Sequence, residues 1–125
     1  MPRKFVHLRF HSEYSVTDGI VRLDPMLEEA VRRGDVALGL TDNMNIFGGL
    51  RFFTHALADG IKPILGCDIW ITNDKKEANG DRGIPFRLTL YCMNHTGYLS
   101  LCNLLSKAWM ENQYLGRGEF RFEWF

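Results

Sequence analysis

The chain of 125 residues has 46% apolar and 24% charged residues, the size and balance of one globular domain that can bury a single core. Fifteen basic against fifteen acidic residues leave no net charge, which excludes the broad cationic footprint of an autonomous nucleic-acid binder. No apolar run approaches membrane-spanning length, "MPRKFVHL" lacks the apolar stretch of a signal peptide, and Cys67, Cys92 and Cys102 show no C-x-x-C spacing; a soluble, cytoplasmic, reducing setting is expected, with the thiols as small buried apolar residues.

In chain order, residues 5–10 read as a strand by their β-branched and aromatic content. "LDPMLEEAVRRG" carries helix punctuation, with Asp24 as the expected N-cap, Pro25 at the first helical position and Gly34 just past the end. "VALGLT" is a short apolar run of the kind expected for a strand buried on both faces. A second helix is expected to bury Ile46, Leu50, Phe53 and Leu57, at spacings of four, three and four, and to stop before Gly60. "KPILGCDIWIT" is the third strand, the stretch from Asn73 to Gly83 is polar loop, and "FRLTLYCM" is a fourth strand. With no helix between them, strands three and four are expected to form an antiparallel hairpin. A last helix from about Thr96 to Asn112 places Tyr98, Leu101, Cys102, Leu105, Ala108 and Trp109 on one face, and Phe120, Phe122 and Trp124 alternate as in an edge strand. The order implies an α/β fold with a mostly parallel sheet and one hairpin, whose chemistry lies at the carboxyl ends of its strands.

By the alternation of strand side chains, Val6, Leu8 and Phe10 point one way and His7, Arg9 and His11 the other, while Arg87, Thr89 and Tyr91 form a similar polar row on the fourth strand. Asp42, Asn43 and Asp68 lie at strand ends, and Asp18 lies on the turn after the first strand. Histidine and carboxylates at several strand ends are how divalent-metal hydrolase sites are assembled. The plainer reading is that His7 and His11 are hydrogen-bonded core histidines and that Asp18 and Asp42 cap turns. On the same plain reading, His55 and His95 are solvated helix residues.

Four blocks, "FVHLRFHSEYSVTDG", "ALGLTDNMNIFGGLRFF", "GIKPILGCDIW" and "RLTLYCMNHTGYLSLCNLLSKAW", resemble in order and spacing the PHP (polymerase and histidinol phosphatase) domain family, in the branch found at the N-terminus of bacterial DNA polymerase III alpha subunits. The resemblance implies a distorted seven-stranded β/α barrel. Residues 1–125 would be its N-terminal half, a truncated domain, because "LGRGEFRFEWF" stops where the family's domain continues. Members with an intact metal centre carry H-x-H, the Asp of D-G, the His of T-D-H, a Glu after I-L-G-x and a His before L-T-L. At those positions this sequence has Arg9, His11, Asp18, Asn43, Asp68 and Arg87. A guanidinium has no lone pair for a metal, and Asn offers only a neutral oxygen. The resemblance therefore implies a degenerate site with His11, Asp18 and Asp68 as residual ligands. Neither a divalent metal nor another cofactor is expected.

The resemblance implies as partners the rest of a polymerase chain and a separate proofreading exonuclease subunit, with DNA reached only through the intact holoenzyme. The favoured reading is a catalytically silent structural and interaction module of a DNA-directed DNA polymerase whose nucleotidyltransferase site lies elsewhere. The alternatives are an active metal-dependent 3′-5′ exonuclease or pyrophosphate-cleaving phosphoesterase, and a stand-alone small-molecule phosphatase. Half a barrel leaves an open strand edge, so self-association is expected. Arg9 is expected to hydrogen-bond Asp68 or another strand-end carboxylate with Arg87 in the same cleft, and Arg9→Ala to cost a few kcal/mol by stranding a buried charge.

Overall fold

The computed structural model describes residues 5–125. Helix α1 (Leu23–Arg33), strand β1 (Ala37–Asn43), helix α2 (Gly49–Ala58) and strand β2 (Lys62–Ile71) lead to strand β3 (Phe86–Tyr91) and helix α3 (His95–Glu111). A two-stranded hairpin, β4 (Gln113–Tyr114) and β5 (Arg117–Gly118), follows. The sheet order is β1-β2-β3, parallel for the first pair and antiparallel for the second. The expected hairpin is present, and the sheet is mixed.

Each apolar strand side chain is placed by alternation. Leu38, Leu40, Leu65, Cys67, Ile69 and Ile71 share one face, which all three helices cover. Leu23, Leu27, Ala30, Phe52 and Ala56 close one half of that core, and Leu101, Leu105 and Ala108 the other. Gly34 ends α1 in the left-handed conformation at φ 72°, as its sequence position predicts. Cys67 is fully buried, and burial pushes its thiol up to about 12. Cys92 and Cys102 are half-buried. No helix among the described residues is long and apolar enough to cross a membrane.

Four expectations need correction. Residues 5–10 do not form a regular strand. They lie parallel to β1, bridging at His7 and Leu38, but the His7 carbonyl bonds Gly39 and the Phe10 carbonyl bonds Thr41, so the first segment spends one residue more than β1 between the two bonds. This bulge breaks the alternation. Leu8 is exposed, Phe10 packs against the core, and the Leu8 carbonyl lies where a Cβ on Gly39 would be only 2.4 Å away. Residue 39 must therefore be glycine.

Helix α2 buries a different stripe from the one expected. Gly49, Phe52 and Ala56 face the core, whereas Leu50, Phe53 and Leu57 are exposed. The two stripes lie side by side at the same period, and a bare Gly49, whose Cβ would sit 3.2 Å from Leu65, lets the helix approach β2 on the smaller one. The displaced stripe borders an apolar groove of about 680 Å³ between α2 and the start of α3.

Asp24 lies inside the first turn of α1, where Arg22 is the N-cap residue; its carboxylate receives Arg51 and His55 of α2, the latter at 2.8 Å. His55 is thus a helix-to-helix clamp. The tail is not an edge strand either. Phe120 is fully buried beside Ile71, and Phe122–Trp124 is a short 3-10 turn with Phe122 exposed.

Candidate functional site

The face of the sheet opposite the helices carries the polar groups. The strand register places Asn43, Asp68 and Thr89 in one row across all three strands, with Trp70 opposite Arg87 one step away. The bulged first segment brings Arg9 and His11 over that row. The six positions singled out in the sequence, Arg9, His11, Asp18, Asn43, Asp68 and Arg87, therefore meet, although the bulge turns His7 away, with its ring edge-on to Phe5.

Asp68 is the hub and is almost fully buried. Its Oδ2 accepts from Arg9 Nε at 2.8 Å and lies 2.5 Å from His11 Nε2, while Oδ1 accepts from the Thr89 hydroxyl. The Arg87 guanidinium is 3.8 Å from Asp68 and donates to Asn43 Oδ1 at 3.2 Å. On its other side His11 places Nδ1 2.9 Å from Asp18 Oδ2. Burial acts to raise the Asp68 carboxyl, but the hydrogen bonds from Thr89, His11 and Arg9, with the charge of Arg9, outweigh it and hold the group below the usual carboxylate range.

A buried anchor positions the His11 to Asp18 loop. Asp42, fully enclosed, accepts from the Ser12 backbone at 2.6 Å and hydroxyl at 2.7 Å and from the Ser15 hydroxyl at 2.8 Å. The Ser15 hydroxyl also receives the Asn43 N–H at 3.0 Å. Asp42 thus fastens the turn to the end of β1, a larger task than capping. The sequence reading missed Ser12, Ser15 and the role of Thr89. The signal for Thr89 was its place two residues after Arg87 in the polar row.

It also missed a third buried carboxylate, in addition to Asp68 and Asp42. Glu119, with no solvent exposure, is held by Arg117 at 2.9 Å, by Thr72 at 3.0 Å and by Arg82. Asn112 donates to its backbone carbonyl at 2.8 Å. Glu119 precedes the alternation read from Phe120 to Trp124 and shares the parity of its polar members Arg121 and Glu123, so nothing there marked it as buried.

The PHP domain family profile matches residues 7–125. This chain belongs to the PHP domain family. Curated relatives of this PHP domain include the DNA polymerase III alpha subunit of Pseudomonas fluorescens, 38% identical over 99% of the chain and 10% of the relative. Those of Pasteurella multocida, at 43% over 85% of the chain, and Thermus aquaticus, at 37% over 89%, are similar as well. The chain spans about a tenth of the length of these relatives. Among solved structures, an amidohydrolase from Chromobacterium violaceum superposes with a TM-score of 0.60 at 18% identity, over 82% of this chain and 32% of that one, a likeness of fold.

The chemistry open to this PHP domain's polar centre follows from its donors. Two of its six side chains are guanidinium groups, which offer N–H donors and no lone pair. Both Asp68 oxygens already accept hydrogen bonds. The arrangement solvates a buried carboxylate from within the protein.

Proposed function

We propose that the chain is the N-terminal part of the PHP domain of a DNA polymerase III alpha subunit, supplying about the first half of a distorted seven-stranded β/α barrel. In that setting it is a catalytically silent structural and interaction module. It supports the DNA-directed DNA polymerase in replication and helps dock the separate proofreading exonuclease subunit, while nucleotidyl transfer takes place outside these residues. The alpha-subunit relatives at 37–43% identity support the placement.

The observation that carries the silent reading is the engagement of Asp68 by Arg9, His11 and Thr89. Divalent metal, which the PHP family implies, does not fit this donor set. Arg9 and Arg87 bring fixed positive charge to the place where a cation would sit. His11 has both ring nitrogens engaged, Nδ1 by Asp18 and Nε2 by Asp68. Arginine instead supplies the countercharge that clustered carboxylates need in a poorly solvated pocket.

The test is metal analysis of the full-length polypeptide after exposure to zinc and manganese, alongside hydrolysis of a model phosphodiester. Substoichiometric metal and no manganese-stimulated hydrolysis are expected. Stoichiometric metal together with hydrolysis that disappears in His11→Ala overturns the reading in favour of a metal-dependent exonuclease or phosphoesterase.

A further inference from the structure

Two arginines from distant parts of the chain close on one indole. The Arg87 guanidinium lies 4.0 Å from the centre of the Trp70 ring and that of Arg117 lies 4.5 Å from it. Arg87 belongs to the polar centre through Asn43 and Asp68. Arg117 belongs to the β4–β5 hairpin and pairs with buried Glu119. Glu119 also binds Arg82, whose guanidinium covers the Tyr114 ring, on the other hairpin strand, at 3.9 Å.

Cations, rings and carboxylates thus alternate without a break from the PHP centre to both strands of the hairpin. The hairpin is only two residues a side and pairs with no strand of the main sheet, so its own ladder is weak support. The indole is the joint. The indole is half-buried and both guanidinium groups keep some contact with solvent, so each stack is of the modest, partly exposed kind, and the one from Arg87 also fixes the plane on which Arg117 rests.

We infer that Arg87 is a positioning residue for the hairpin: from within the degenerate centre it holds Trp70, and through Trp70 it sets how firmly Arg117 and the Gln113–Gly118 hairpin are seated. The replacement of a ligand position by arginine then serves a second purpose. Besides its place beside Asp68, this cation reaches a part of the chain that the centre does not touch. The inference rests on the contacts themselves and is independent of the proposed polymerase role.

Hydrogen–deuterium exchange of the full-length polypeptide, read on a peptide covering Gln113–Gly118, tests it. Arg87→Ala is expected to speed exchange there about threefold, the loss of one such stacking contact. Arg87→Lys, which keeps a cation over the ring, stays close to the parent. Thr89→Val, which loosens Asp68 in the same centre without touching Trp70, leaves the hairpin unchanged. In a Trp70→Leu background the Arg87→Ala effect disappears. Parent-like exchange in Arg87→Ala overturns the inference, as does an equal rise in Thr89→Val or an undiminished effect without the indole. Should Arg87→Ala not fold, Arg87→Gln against Arg87→Lys makes the same comparison.

Discussion

Asp68 and Glu119 are two solutions to one problem. Each is a buried carboxylate facing two arginines and a threonine hydroxyl: Arg9, Arg87 and Thr89 for the first, Arg82, Arg117 and Thr72 for the second. Glu119 is sealed by the tail, and both its arginines are braced on aromatic rings. Asp68 lies inside β2, opposite the last residue of β1; its Arg9 partner has a side chain 61% exposed, and His11 links it to a third carboxylate. An arginine-held carboxylate is therefore not in itself the mark of a former catalytic centre. The histidine bridge to Asp18 is what Asp68 has and Glu119 lacks.

The comparison is broken most forcefully at Glu119. Glu119→Ala strands Arg82 and Arg117 beside a fully enclosed cavity and is expected to cost about 3 kcal/mol, the lower end for breaking a buried pair because both arginines keep some solvent. A urea melt reads it, and a loss of under about 1 kcal/mol means the tail contributes little to the fold.

Acid acts on both sites together. Burial works to raise each carboxyl, and the donors outweigh it: Thr89, His11 and Arg9 at Asp68, and Arg82, Arg117 and Thr72 at Glu119. Both folded-state values therefore lie below the unfolded ones, near 4. A carboxyl lowered in this way contributes stability fully present above the unfolded value and lost as pH falls through the folded one. Stability from these groups is expected to be level from pH 7 to about 5 and to fall below about 4, with a shallower fall in Glu119→Gln. An equally steep fall in that variant removes Glu119 from the account.

The smallest effect is expected at Arg9. With its side chain largely in solvent, Arg9→Ala should cost about 1 kcal/mol, since exposed ion pairs are worth 0–1 and Asp68 keeps His11 and Thr89. The larger loss anticipated from sequence assumed a buried guanidinium. A denaturation midpoint shifted as far as that of Glu119→Ala would restore that assumption and erase the difference between the two sites.

What the sequence revealed follows the reach of each signal. Gly34 closes α1 because its backbone preference is local, whereas the helix starts two residues before Pro25, the position expected to open it; strands β1 to β3 and their hairpin followed from apolar runs and the missing helix between the last two. The six positions of the centre were legible through resemblance, and their meeting on one face depends on register that no single strand contains. The α2 face was misread because period fixes spacing and not side, and because Gly49 weighs nothing in a hydrophobic count. The bulge at residues 8–9 was invisible because an extra residue between two hydrogen bonds leaves no compositional trace. Glu119 escaped because its partners, Thr72, Arg82 and Arg117, are gathered by the tail's return to the end of β2.

The bulged first segment also has a kinetic meaning. The segment pairs with β1 across 31 residues, at Phe10 and Thr41, and Arg9 meets Asp68 across 59, whereas Asp68 and Thr89 are separated by 21 and the helices and strands from α1 to β3 join their chain neighbours. Closing these longer loops costs more chain entropy, and it brings a bridge, a few backbone bonds, the packing of Phe10, the Asp42 anchor and the polar centre in return. The sheet and its helices can assemble first, with the segment from Phe5 to Asp18 laid down afterwards. Contacts formed after the rate-limiting step act on escape from the native state, so Arg9→Ala should hasten unfolding and leave the refolding rate nearly unchanged, and slower refolding in stopped-flow traces would place the centre in the nucleus instead.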